Sequence, residues 1–296
     1  MTSEGTGIPA PVGQRLERSL PWLEDVAQRV QPLVGKAVGS RPWLHDLLDG
    51  TWLGAPLHPA LTDVPVGSWT AAFVLDVVDV ATGVDGAGTA ADGALAVGLA
   101  GALPAALTGA SDWRDLTGEQ RRIALLHGML NSVGLSLNVA SLLCRRGDRR
   151  GAGRVLSALG LAIASTAAHI GAELSFGMGL RVNQTFADAG PKDFVTVAGA
   201  NELGNGQLRK VSVEGADVLL ARSQNGHLCA IANTCSHLGG PLDEGSRDGD
   251  AVTCPWHGSR FDLCTGRVLE GPAVFAQPRY ETRIQEGQVQ VRQAQS

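Results

Sequence analysis

Charge is scarce in this chain of 296 residues. Asp, Glu, Lys and Arg make up 18% of it, against roughly 25% in soluble proteins. Aromatic residues are scarcer still at 4%, so little of the 44% apolar content is large ring. Basic residues are not in excess: 24 Lys and Arg against 29 Asp and Glu leave a net charge of −5, which argues against a dedicated nucleic-acid binder. Five cysteines are too few for a disulfide-dense scaffold. Glycine is plentiful at 39 residues, but collagen-like and disordered chains are both excluded by composition. The length suits about two domains. A low charged fraction then means one large buried core or a membrane.

The deficit is local. Four apolar runs, Val64–Thr82, Gly93–Ser111, Ile123–Cys144 and Val155–Ala172, contain two charged residues between them, Asp76 and Asp79. The rest of the chain has an ordinary charge density. Each run has the length of a membrane helix, about 20 residues with 17–25 tolerated. Ala and Gly dominate them, and Ala94, Gly98 and Ala102 form a small-residue stripe of the kind that lets helix backbones approach closely. Pro104 is expected to kink the second helix. The alternative is a soluble four-helix bundle; run length favours a transmembrane one. Short links make neighbouring helices antiparallel.

Residues 1–40 show no long apolar stretch of the kind found in a cleavable signal. Leu16, Leu20, Leu23, Val26, Val30 and Val34 recur near helical spacing instead, with Pro21 and Pro32 expected to interrupt. This amphipathic segment either lies on a membrane surface or packs on the protein itself.

From Lys192 the texture changes to short β-like runs: Phe194–Val197, Arg209–Val213, Val218–Ala221, Leu228–Ile231, Thr282–Ile284 and Val289–Val291. Turn signals separate them, among them Glu286-Gly287 between the last two. The expected organisation is an amphipathic segment 1–45, a four-helix transmembrane bundle 46–180, a linker 181–191 and a C-terminal all-β domain 192–296.

Cys235-Ser236-His237 is followed by Cys254-Pro255-Trp256-His257. Two turns thus supply two thiolates and two imidazoles, enough to clamp one metal centre, with Gly239, Gly240 and Gly258 allowing tight backbone. A Cys2His2 zinc site is the alternative, but C-x-H spacing is unusual for it. The segments Cys235–Leu242 (CSHLGGPL) and Cys254–Gly266 (CPWHGSRFDLCTG) closely resemble a Rieske domain, over about residues 192–294. The resemblance implies a 2Fe-2S cluster with Cys235 and Cys254 on one iron and His237 and His257 on the other. Neutral imidazoles in place of thiolates make such a cluster easier to reduce.

Respiratory Rieske proteins carry a further cysteine in each loop, joined in a bracing disulfide. Here those positions are Gly240 and Trp256, and Phe261 stands where the respiratory type has Tyr. Ser259 remains as a hydrogen-bond donor to cluster sulfur. The resemblance therefore implies a ferredoxin-like or oxygenase-like centre of lower potential. Cys229 and Cys264 occupy neither brace position and are expected to be ordinary thiols; Cys144 stands alone in the third helix. A terminal oxygenase is not expected, because no large catalytic domain follows the β segment to hold a mononuclear iron.

The helical half carries histidines of its own. His58 lies just before the first apolar run, His127 near the start of the third and His169 near the end of the fourth, all on one side. Ionisable residues in membrane helices are functional candidates, and axial imidazoles at one depth suggest a b-type haem. The alternative is polar glue between helices. Gly54–Trp69, Thr108–Trp113, His127-Gly128 and His169–Asn183 resemble a bacterial four-helix membrane domain of unknown function. Its HPLHP-like start is reduced here to His58-Pro59, with Ala55 in place of the first His.

Arginine counts on the two sides nearly balance and do not orient the bundle. Cytoplasmic assembly of iron–sulfur clusters, with no clear export signal, places the β domain in the cytoplasm of a bacterial cell. The expectation is a membrane-anchored Rieske protein passing single electrons between a soluble donor reductase and a membrane or oxygenase/reductase acceptor, with membrane lipid as its other partner. The alternatives are a redox or iron–sulfur sensor without turnover and a quinone-linked oxidoreductase subunit.

Overall fold

A computed structural model describes residues 11–38, 41–188 and 190–294. It divides into two compact units, one made of the N-terminal segment with residues 57–178 and the other of residues up to 56 following that segment with residues 179 onward.

The first unit is helical: α1 (Val12–Arg18), α2 (Trp22–Val38), α4 (Leu57–Thr82), α5 (Ala87–Trp113), α6 (Gly118–Arg146) and α7 (Arg150–Ala172), the last running into a π-helical turn, Glu173–Gly177. The four long helices contain the four apolar runs and extend beyond them. They are long and apolar enough to cross a membrane.

Their packing is inside-out relative to a soluble bundle. Inside lie mainly small or polar residues, Ala91, Ala102, Thr108, Ser111, Asn138, Ser141, Ser157, Ala164 and Ala167 among them, around a few large apolar ones, Trp69, Leu95, Ile123 and Ile170. Outside lie large apolar ones, Leu103, Leu143 and Val155 among them at 60–63% exposure. Gly98 shows why the small-residue stripe is there: a Cβ on it would sit 2.4 Å from the Trp69 ring.

Asp76 and Asp79, the two charges in the apolar runs, are paired. The Arg145 side chain is fully buried and binds Asp76, Asp92 (3.0 Å), Ser141 and Ser157. Arg154 binds Asp79 and Arg150 binds Asp92 (2.6 Å). Three carboxylates meet three guanidiniums, which offsets the cost of burying them.

The amphipathic segment packs on the helices. Leu23 and Ala27 are fully buried, Glu24 pairs with Arg121 and Arg122, and Glu17 pairs with Arg122. The Glu173 carboxylate accepts from the Gly13 and Gln14 N–H groups (2.7 and 3.1 Å) at the start of α1, where helical N–H groups lack partners. Pro21 separates α1 from α2 as expected. Pro32 does not interrupt: α2 runs through it, because a helix can forgo one N–H bond when its apolar face is buried.

The second unit carries α3 (Pro42–Asp49) and two antiparallel sheets. The larger has the order β1 (Val195–Gly199), β10 (Gln288–Gln293), β9 (Arg279–Gln285), β4 (Leu228–Ala232), β3 (Ala216–Arg222) and β2 (Leu208–Val213). The smaller has the order β5 (Ser246–Asp248), β6 (Ala251–Thr253), β7 (Arg260–Asp262) and β8 (Val268–Glu270). The six strands read from sequence are the larger sheet. The smaller one was missed because its three-residue strands are too short to show alternation. Glu286 (φ 52°) and Gly287 (φ 74°) form the hairpin turn between β9 and β10, the left-handed pair that matches strand twist. Leu219, Ile231, Leu242, Val252, Phe261 and Leu263 fill the core between the sheets.

Candidate metal centre

The two Cys/His loops fold alike. The Cys235 N–H donates to the Gly240 carbonyl (2.8 Å), and the Cys235 carbonyl accepts from Gly239 N–H (2.9 Å). The Cys254 N–H donates to the Ser259 carbonyl (2.8 Å), and its carbonyl accepts from Gly258 N–H (3.1 Å). Gly239 and Gly258 have φ of 80° and 78°, the left-handed conformation that favours glycine. Each loop leaves β4 or β6 and returns towards the core; Cys235, Cys254 and His237 are buried and His257 is half-buried.

The loops meet. Cys235 and Cys254 are buried and hydrogen-bonded thiol to thiol. The Cys235 hydrogen bond, with the Trp256 and His257 N–H groups, pulls the Cys254 thiol down to about 6, while the same bond and burial push Cys235 up. The His237 and His257 rings stand 5.1 Å apart and nearly perpendicular. A Cβ on Gly240 would fall 2.8 Å from Cys254 Sγ and 3.0 Å from the Trp256 ring, so the first loop reaches the second only because Gly240 lacks a side chain. Two sulfurs and two imidazoles, one of each from either loop, form a donor set that fits a 2Fe-2S cluster. A single zinc is fitted less well, since it draws its ligands around one point.

A third loop supports both. The Ser236 hydroxyl donates to the Phe275 carbonyl (2.7 Å), and the Ala273 N–H donates to Ser259 Oγ (3.0 Å). Ser259 is fully buried. This Gly271–Phe275 loop is held in turn by α3: Asp46 accepts from Gly271 N–H (2.8 Å), and Arg181 bridges Asp49 (3.0 Å) and the Pro272 carbonyl (2.8 Å). Oriented to suit its neighbours, the buried Gln277 amide donates to the Thr234 carbonyl and accepts from Ser236 N–H. None of these supports has a spacing that sequence reading detects.

Cys229 and Cys264 are not separate thiols, as expected above, but a disulfide. Strand β4 and the turn after β7 come together across the core, which places the two side chains in contact. Cys144, Cys235 and Cys254 remain thiols. Trp256 is 57% exposed beside the half-buried His257.

In the helical unit the histidines separate. His58 and His127 come together, their ring centres 6.2 Å apart. His169 is exposed on α7, because the buried face of that helix is Ala164, Ala167 and Ile170. The sequence grouped it with His127 by depth, and depth carries no information about the face.

Residues 193–281 match the model of the Rieske 2Fe-2S domain, and residues 54–184 match that of a predicted membrane protein family, DUF2231. Ferredoxin CarAc from Metapseudomonas resinovorans is 33% identical over 98 residues, which are 33% of this chain and 92% of that protein. The ferredoxin component of the naphthalene 1,2-dioxygenase system from Pseudomonas aeruginosa is 36% identical over 87 residues, 29% of this chain and 82% of that protein. Apoptosis-inducing factor 3 from Mus musculus is 35% identical over 104 residues, 34% of this chain, and the chain spans 17% of that protein's length.

Proposed function

We propose, from the premise that this chain belongs to the Rieske 2Fe-2S domain family, that it is a membrane-anchored carrier of single electrons. Cys235 and Cys254 hold one iron and His237 and His257 the other. The cluster, when bound, takes up and releases one electron at a time. The observation that carries this reading is the twin construction of the two loops, each with one buried sulfur and one imidazole set beside that of the other loop.

The chain's own residues do the rest. Backbone bonds at Cys235 and Cys254 hold the sulfurs in place. Ser259, fixed by the Ala273 N–H, keeps its hydroxyl proton for cluster sulfur and so favours the reduced form. Phe261 supplies no second hydroxyl. Trp256 and Pro255 beside His257 are exposed and form an apolar rim where a partner docks against the histidine-bound iron. The dioxygenase-system ferredoxin among the relatives supports a reductase as donor and an oxygenase as acceptor. The inside-out helical bundle supports anchoring in lipid.

The test is to purify the full chain in detergent and titrate its cluster by EPR. The expected potential lies towards the lower end of the Rieske range of about −150 to +300 mV, and a respiratory-type value contradicts the reading. Cys235→Ser or His257→Ala removes the signal.

Cluster assembly favours a cytoplasmic β domain. The Cys229–Cys264 disulfide favours the oxidising face, since disulfides are rare in the cytosol. Thiol labelling in intact cells before and after reduction separates the two placements.

A further inference from the structure

The helical unit contains an internal repeat in which α6–α7 follows the pattern of α4–α5. His58, Trp69 and Asp76 succeed one another in α4 at the same spacings as His127, Asn138 and Arg145 in α6. Asp92, Gly98, Ala105 and Gly109 in α5 are matched likewise by Arg154, Gly160, Ala167 and Gly171 in α7. The contacts repeat as well. Trp69 lies over Gly98 as Asn138 lies over Gly160, and Asp76 pairs with its own counterpart, Arg145.

The two histidines share one construction, to which Thr108 Oγ1 adds a contact at 3.5 Å from His58 Nδ1. His58 Nδ1 is 2.8 Å from the Ala105 carbonyl, and its ring covers Gly109. His127 Nδ1 is 2.8 Å from the Ala167 carbonyl, and its ring covers Gly171. A carbonyl oxygen only accepts, so Nδ1 carries the proton in both rings and Nε2 carries the lone pair. The repeat brings these two rings together, centres 6.2 Å apart and planes at 88°.

We propose that His58 and His127 are the two axial ligands of a haem iron. A ring N–H donated to a carbonyl is the support that metal-bound histidines use to fix their tautomer and raise their basicity. A metal–nitrogen bond of about 2 Å on each side, extended to the two ring centres, gives a separation of about 6 Å for imidazoles on opposite faces of one ion. Imidazoles on a tetrahedral ion stand closer. Two opposed nitrogens suit a tetrapyrrole, which brings its own four. Among the described residues no third His, Cys, Asp or Glu joins the pair. Asn131 Nδ2 lies 3.1 Å from His127 Nε2 and 3.0 Å from the His127 carbonyl, so it keeps the second bond when the nitrogen turns to iron. The proposal does not rest on the cluster, and its signal is separate from the cluster's.

The full chain, purified in detergent, is assayed for haem as isolated and titrated with haemin, while EPR follows the cluster and gel filtration the state of the helices. Low-spin haem stoichiometric with the chain is expected. It survives His169→Ala and is lost in His58→Ala and in His127→Ala with the cluster signal intact. Where an alanine variant aggregates, His127→Met serves in its place: methionine ligation keeps the iron and raises its potential. A monodisperse chain with its cluster that binds no more haemin than the double alanine variant overturns the proposal and leaves the pair as glue between helices, as does haem uptake that neither substitution reduces.

Discussion

Cys229 lies in β4, the strand that leads into the first ligand loop, and Cys264 lies in the turn after β7, the strand that follows the second. Their bond therefore ties the two sheets together behind the centre, at the place where each sheet launches a loop. Crosslinking residues 35 apart removes unfolded-chain entropy worth about 4 kcal/mol in the loop-closure model. Replacing both cysteines by alanine is expected to lower the unfolding free energy by up to that amount and to quicken loss of the cluster's visible absorption in urea. Unchanged urea stability contradicts the role. The four ligand residues were legible in the sequence because their chemistry is encoded in local spacing. The disulfide was not, because its partners are brought together by strand pairing far along the chain. The same limit governed His169, for which helical depth was readable and helical face was not.

Among the elements, the turn between β7 and β8 depends on one carboxylate. Asp262 accepts from the Cys264 N–H (3.0 Å), the Thr265 N–H (2.7 Å) and the Thr265 hydroxyl (2.8 Å). Burial pushes the carboxyl up, but the Thr265 and Cys264 bonds and the Arg267 charge outweigh it and hold Asp262 below the usual range. A lowered folded pKa contributes stability that is complete above the unfolded value of about 3.9 and is lost as the pH falls through the folded one. Unfolding followed from neutral pH down past about pH 4 is expected to show less acid destabilisation in Asp262→Ala than in the parent chain, from a lower starting stability. Equal slopes contradict it. This turn, and the three-residue strands on either side, escaped sequence reading because so few residues carry no period. The long strands and the four helices were legible, since alternation and apolar length persist over whole elements.

Over the whole molecule, the charge deficit and the ion network are two sides of one arrangement. The helices keep most of their large apolar residues outside and pair the charges of their apolar spans, Asp76 and Asp79, with arginines of the α6–α7 hairpin. Arg145→Ala leaves Asp76 buried with only the longer contact to Arg154 (3.5 Å), and a loss of about 3–5 kcal/mol is expected. The double replacement Asp76→Leu with Arg145→Met removes both charges and leaves Arg154 with Asp79 and Arg150 with Asp92. It is therefore expected to melt in detergent closer to the parent chain than Arg145→Ala does; a double variant less stable than the single one contradicts this coupling. The arginine count that failed to orient the helices is explained by the same network, because three of the arginines near the α6–α7 link serve aspartates within the bundle.

That network also constrains how the chain is made. The first hairpin, α4–α5, contributes Asp76, Asp79 and Asp92, and every guanidinium that answers them belongs to the second, α6–α7. During synthesis the first hairpin thus emerges with uncompensated negative charge near one end of its helices. The first hairpin neutralises that end only by pairing with the second, so the two hairpins make one charge-balanced unit.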